Sequence, residues 1–222
     1  MHPGAENAVL AGNATIALEI IDEMPDIDCI VAPYGSGALV TGIACGVRAI
    51  LREKNVDEKK IRVVAVEPET ASPFSLSMKN GKATKFENYQ SSFVDGCGGK
   101  AVLPKIWNLA RDHVDDGVSV PLERIKEAIC ILLERNHIVA EGAGACTVAA
   151  AMSGRCPGKN IVCVVSGGGL DTEHLIDFLQ KSNNNVVMKK NTSVWNGDFV
   201  IASLLASAAA CCCYYYFYHQ KT

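Results

Sequence analysis

The chain has 222 residues, 49% of them apolar and 20% charged, with a formal charge of −3. That composition supports one domain of about 180 residues with a sizeable core, followed by a tail. Scattered Lys and Arg leave no electrostatic footprint for nucleic acid. Of the ten cysteines, Cys211, Cys212 and Cys213 form a single run. The others (Cys29, Cys45, Cys97, Cys130, Cys146, Cys156 and Cys163) never fall two or three residues apart, so metal-finger spacing is absent. Most sit in apolar contexts, where a free thiol acts as a small hydrophobe. With no signal peptide, the expected compartment is the reducing cytoplasm.

The elements follow one another in α/β alternation. Ile16, Ile20 and Met24, with Ala17 and Ile21, keep a helical period over 11–24. Residues 28–31 read as a strand running into Tyr34-Gly35-Ser36-Gly37, and a helix resumes over 39–53. A second strand is expected at 61–66. The Ser-, Gly-, Lys- and Asn-rich stretch 70–100 reads as a long, partly irregular loop. Helix returns at 105–114, and a short strand at 118–120. From Pro121, placed to start a helix, Leu122, Ile125, Ile129, Leu132 and Leu133 mark one buried face. A small-residue helix at 140–152, a strand at 161–165 and a helix at 171–179 complete the pattern. Such alternation implies an open, mostly parallel sheet with helices on both faces. Ligands of such sheets bind at the carboxyl ends of the strands.

The tail departs from this pattern. Residues 199–218 carry no charge and end Cys-Cys-Cys-Tyr-Tyr-Tyr-Phe-Tyr. The length is that of a bilayer-spanning helix of roughly 20 residues. The preferred reading is nonetheless low-complexity sequence outside the globular unit, with membrane contact through 199–218 as its rival.

Two strand-to-helix junctions are glycine-rich: Gly35-Ser36-Gly37 and Ser166-Gly167-Gly168-Gly169. Small residues there leave backbone N–H groups unpaired at a helix start, suited to a phosphate. The dinucleotide fingerprint is not met, because Gly42 comes two residues too late, and no triphosphate-binding Gly-x-x-x-x-Gly-Lys-Ser/Thr is present. Taken alone, the first turn also reads as a plain tight connection, and Ser166 as a cap for the helix that follows.

Several further motifs share one register. They are His2-Pro3, Ala11-Gly12-Asn13-Ala14-Thr15 with Glu19, and the run Pro33-Tyr34-Gly35-Ser36-Gly37-Ala38-Leu39-Val40-Thr41-Gly42. Downstream come Val66-Glu67-Pro68 with Ala71, Val94-Asp95-Gly96, Ala140-Glu141-Gly142-Ala143-Gly144-Ala145 and Val165-Ser166-Gly167-Gly168. In these motifs, from Met1 to about Leu179, the chain resembles the pyridoxal-phosphate enzymes of the second fold type, above all the serine/threonine dehydratases and serine racemases. The resemblance implies the large domain of that fold over 1–180, with 181–222 a tail outside it. It implies pyridoxal 5'-phosphate as cofactor, its phosphate held by the backbone N–H groups of Gly35, Ser36, Gly37, Ala38 and Leu39. Ser166 would hydrogen-bond the pyridine nitrogen. As a weak acid, serine leaves that nitrogen neutral where an aspartate would hold it charged. Glu141 is expected either beside the ring or capping the helix that starts at Gly142.

The implied reaction is that of a serine/threonine ammonia-lyase, which turns a hydroxy amino acid into a 2-oxo acid and ammonia. A serine racemase-like fragment and a non-catalytic truncated paralogue acting through a partner are the alternatives. A homo-oligomer is expected of the complete enzyme. The family's lysine, in a Ser-x-Lys-x-Arg-Gly context, matches nothing here, so no catalytic residue is assigned, the sheet is expected to keep an uncovered edge, and the crevice one wall. Glu67 and the carbonyl of Ala71 match positions that hold a divalent ion in some relatives. The third such position is Pro73, which has no side-chain oxygen, so no metal site is assigned either.

Overall fold

The structure is a computed structural model and describes residues 6–186, 199–202 and 214–219. His2-Pro3 lies outside the described residues. Helix α1 (Asn7–Glu23) precedes strand β1 (Cys29–Pro33), whose residues are all buried, and helix α2 (Ala38–Glu53) follows it. Strand β2 (Arg62–Pro68) leads into helices α3 (Pro73–Asn80) and α4 (Pro104–His113). Then come β3 (Asp116–Val120), α5 (Leu122–Asn136), α6 (Gly142–Met152), β4 (Asn160–Val165) and α7 (Thr172–Val186). Two tail strands close the series, β5 (Phe199–Ala202) and β6 (Tyr214–His219).

The four central strands are parallel and lie in the order β3-β2-β1-β4, with Val31 opposite both Val64 and Cys163. The period-2 alternation of strands sends their side chains into two cores. Ile30, Ala32, Val63, Ala65, Val162 and Val164 meet residues of α1, α2 and α4 such as Ile20, Ile43 and Ile106. Cys29, Val31, Val64, Val66, Cys163 and Val165 meet residues of α5, α6 and α7 such as Ile129, Ala149 and Phe178. This is the expected open α/β sheet covered on both faces. Gly42, which spoiled the dinucleotide spacing, serves packing: a Cβ there would lie 2.6 Å from that of Asn13 and 2.7 Å from the Leu10 carbonyl oxygen. It lets α1 rest directly on α2.

Two expectations need correction. The stretch 70–100 is not wholly irregular, because α3 forms inside it. The edge beside β4 is covered: β6 pairs with it antiparallel, Val162 opposite Phe217, and β5 pairs with β6. Within 199–218 the described parts are therefore strands, while 203–213 lie outside the described residues; residues 181–186 of the tail belong to α7. Among the described residues no helix is long and apolar enough to cross a membrane. The cysteines from Cys29 to Cys163 are all free thiols, and all but Cys45 are buried, which bears out their reading as small hydrophobes. Burial pushes the thiols of Cys29, Cys146, Cys156 and Cys163 up, that of Cys156 to about 12.

Candidate active site

Because β1 and β4 are adjacent and parallel, the glycine turns that follow them emerge side by side at one end of the sheet. In the first turn Tyr34 continues the ladder, its N–H donating to the Val66 carbonyl at 2.8 Å. Its ring is fully buried and stacks on Phe74, with centroids 4.3 Å apart. Gly37 then closes the turn as the residue before α2, with φ +86°. A Cβ there would fall 2.7 Å from the Tyr34 ring and 2.6 Å from Ile106 Cγ2, so both the left-handed backbone and the close approach require glycine.

Among the described residues, no protein acceptor takes the N–H groups of Gly35, Ser36, Gly37 or Leu39, and that of Ala38 reaches only Ser36 Oγ, at a long 3.4 Å. Those of Ala38 and Leu39 are unpaired donors expected at the first turn of a helix, here the 16-residue α2, and Gly35, Ser36 and Gly37 add theirs from the turn that leads into it. Their partial positive charge fits an anion. The structure thus keeps Gly35, Ser36, Gly37, Ala38 and Leu39 together in one cradle.

The second turn is organised by Glu141. Its side chain makes no cap bond to α6. Instead Oε2 accepts the Gly169 N–H at 3.1 Å, and the Glu141 N–H donates to the Gly167 carbonyl at 3.0 Å. A Cβ on Gly167 would lie 2.5 Å from the carboxyl carbon, and one on Gly96 would lie 2.6 Å from Oε1. Gly96 in turn sets its carbonyl oxygen 3.0 Å from where a Cβ of Gly35 would stand. Glu141 and the Val94-Asp95-Gly96 loop therefore link the two turns into one wall. The capping alternative for Glu141 gives way to this bridging role. Ser166, half-buried, has no hydrogen-bond partner among the described residues. Since α7 begins only at Thr172, Ser166 is not its cap either.

Two residues of the matched motifs have a part here that the sequence does not disclose. Tyr34 floors the cradle, and its carbonyl accepts the Gly98 N–H at 2.7 Å, while its hydroxyl has no partner. Burial, then the charge of Glu67, pushes that phenol up. Glu67 itself, fully buried at the end of β2, accepts from the α3 start, and burial pushes its carboxyl up to about 7 against those bonds.

Five lysines have partners elsewhere: Lys59 pairs with Asp115, Lys85 with Glu87, Lys126 with Glu123 and Lys181 with Asp177, while Lys100 lies over the Tyr89 ring. The donor set of the two turns fits a phosphorylated ring: amides for the phosphate, and one free hydroxyl for a single ring atom.

Comparison with known proteins agrees with this geometry. The L-threonine ammonia-lyase of Thermotoga maritima is 31% identical over 202 residues, which cover 90% of this chain and 47% of that protein. The structure of processed threonine deaminase isoform 2 from Solanum lycopersicum superimposes with a TM-score of 0.71 at 25% identity, covering 81% of this chain and 51% of that one. Maize serine racemase gives a TM-score of 0.67 at 26% identity, covering 84% and 56%. The chain spans about half the length of the curated relatives it matches. The sequence pattern described as "Pyridoxal-phosphate dependent enzyme" matches residues 1–167, and with three-quarters of its length so matched the chain belongs to that family.

Proposed function

We propose that this chain forms the pyridoxal-phosphate-binding wall of a serine/threonine ammonia-lyase. The observation that carries the reading is the convergence of two turns with unspent donors: the amides of Gly35–Leu39 and the hydroxyl of Ser166, set beside each other by β1 and β4 and bridged by Glu141. The names of the relatives and the family support it. Bound there, the cofactor supplies an electron sink for β-elimination, in which a hydroxy amino acid yields a 2-oxo acid and ammonia.

This chain's own residues have narrower tasks. The α2 start neutralises the phosphate with backbone dipoles that need no reorganisation. Ser166 sets the ring's orientation through one directed bond and leaves its nitrogen uncharged. Glu141 keeps the second turn from moving away. The proton-abstracting lysine is not assigned to this chain, and the division into a binding unit over 1–180 and a tail over 181–222 belongs to the same reading. So does assembly as a homo-oligomer, which sedimentation of a complete enzyme would check.

Equilibrium dialysis of the full chain against pyridoxal 5'-phosphate, with pyridoxal as control, tests the site. Saturable binding that needs the phosphate is expected, weakened about three- to tenfold by Ser166→Ala through loss of one hydrogen bond. Equal retention of both compounds, or none of either, overturns it.

A further inference from the structure

Helix α3 stands where the family resemblance puts a divalent cation. The carboxylate of Glu67 is fully buried, and both oxygens are taken by neutral protein donors. Oε1 accepts the Phe74 N–H at 3.0 Å; Oε2 accepts the Ser75 N–H at 2.8 Å and the Ser75 hydroxyl at 2.9 Å. The Ala71 carbonyl, the second matched oxygen, accepts the Gly99 N–H at 3.3 Å. Gly98 presses so close that a Cβ on it would lie 2.4 Å from that oxygen. At the third position Pro73 offers no side-chain oxygen and instead opens α3 as its first residue. Hard cations need six or more oxygen ligands with free lone pairs. Here N–H and O–H groups already point at the oxygens a cation would use, so the residues do not fit one.

We propose that the amino-terminal turn of α3 replaces the cation, making Glu67 the anchor of a cation-independent strut that positions the first glycine turn. The geometry of the strut is continuous. Glu67 fixes Phe74, and Phe74 stacks on the Tyr34 ring with an 18° interplanar angle. That ring floors Gly37, while the Tyr34 carbonyl and the Ala71 carbonyl together hold Gly98 and Gly99. Two carbonyls and one carboxylate thus tie the cradle's floor to its side loop without a metal. Pro73 suits this arrangement because its missing N–H is one the helix start does not use. Glu67 is a positioning residue, acting on the turn through Phe74 and Tyr34.

The strut belongs to the scaffold, so it is tested without cofactor and stands or falls apart from the proposed function. Thermal melting of the full chain in EDTA, and then in millimolar calcium, magnesium or manganese chloride, should give midpoints equal within about 1 °C, because a ligand that binds the native state must raise them. Calcium titrated calorimetrically should give no saturable heat. A saturating rise of several degrees, or stoichiometric heat, overturns the proposal.

The positioning role has a spectroscopic readout. Trp107 meets Phe74 edge-on at 6.1 Å, and a Trp195→Phe background isolates its emission. Glu67→Ala should shift that emission to the red while far-ultraviolet circular dichroism falls by no more than the eight residues of α3, and calcium should not restore it. Should that variant not fold, Ser75→Ala, which removes one hydroxyl donor, should give a smaller shift of the same sign. Unchanged emission in a folded variant, or recovery with calcium, overturns the strut.

Discussion

At the amino-terminal ends of the strands charged groups are tied off, whereas at the carboxyl-terminal ends backbone donors stand free. Asp115, just before β3, has a side chain 1% exposed and faces the guanidinium of Arg48, the Lys59 ammonium at 2.8 Å and the Arg62 guanidinium at 3.4 Å; it also accepts the Val63 N–H at 2.7 Å. Arg48 also donates to the carbonyls of Glu58, Ile61 and His113. Asp28 accepts the N–H groups of Lys159 and Asn160. At the other end the amides of Gly35, Ser36, Gly37 and Leu39 and the hydroxyl of Ser166 have no such partners among the described residues. One end is built for order, and the other keeps unused hydrogen-bonding capacity.

Breaking the ordered end should have the largest effect. Arg48→Ala leaves Asp115 without its most buried partner and strips three carbonyls of a donor. The expected loss is about 3–5 kcal/mol of unfolding free energy, read from the urea midpoint at pH 7. Cofactor affinity in the fraction that stays folded should not change, since the network lies at the opposite end of the sheet. A loss of affinity without a loss of stability would break the comparison.

Gly37→Ala tests the free end. The left-handed backbone costs a side chain about 1–2 kcal/mol. Displacing the Tyr34 ring and Ile106 adds about 1–3 kcal/mol. If the turn is the anion cradle proposed above, stability and pyridoxal-phosphate retention should fall together. Stability lost with retention intact would mean that the α2 start is not the anion cradle.

The two buried carboxylates then separate by the sign of their pH dependence. Burial raises the Asp115 carboxyl, but Lys59, the Val63 N–H and Arg48 outweigh it and hold the group below its ordinary value. Its contribution is present above the unfolded value and is lost as pH falls through the folded one. Glu67 has only neutral donors, so burial prevails and lifts it from 4.5 to about 7. Between those values the native state holds a proton that the unfolded chain has released. Its stabilisation is therefore complete below pH 4.5 and is lost as pH rises through about 7. The loss should be about 2–3 kcal/mol across that window. Glu67→Gln should flatten this limb and leave the acid limb unchanged in urea titrations run from pH 4 to 8. An unchanged slope would show that Glu67 is already ionised throughout.

The same contrast explains what the sequence discloses. Strands β1 and β4 are continuous apolar runs that end in glycine, a local signal, and Pro121 announces α5. Even the cradle residues are contiguous. Helix α3 is different: Ser, Lys and Asn in Pro73–Asn80 give no periodic apolar face, and the helix exists because Glu67 caps it and Tyr34 stacks on Phe74. Strand β6 likewise depends on a partner, β4, that ends at Val165, well upstream of Tyr214. The ion pair of Lys59 with Asp115 becomes visible only when 56 residues of chain are folded back. Where an element is defined by its partner, its own composition is silent.

The smallest effect is expected at Glu141, and its size bears on how the free end works. If the wall is held by shape, with Gly96 and Gly167 closed around the carboxylate and one bond to the Gly169 N–H, an uncharged acceptor of the same outline should serve nearly as well. Glu141→Gln keeps a carbonyl oxygen for Gly169 and removes only the charge assistance, worth under about 1 kcal/mol at a partly exposed bond. Retention of pyridoxal phosphate should then fall less than about fivefold, whereas Glu141→Ala, which empties the space between the two glycines, should cost more than Ser166→Ala. Equal losses for Gln and Ala would mean that the negative charge itself acts on the bound ring. The carboxyl end would then resemble the amino end in using a fixed charge, and the division between an ordered end and an open one would rest on the amides of α2 alone.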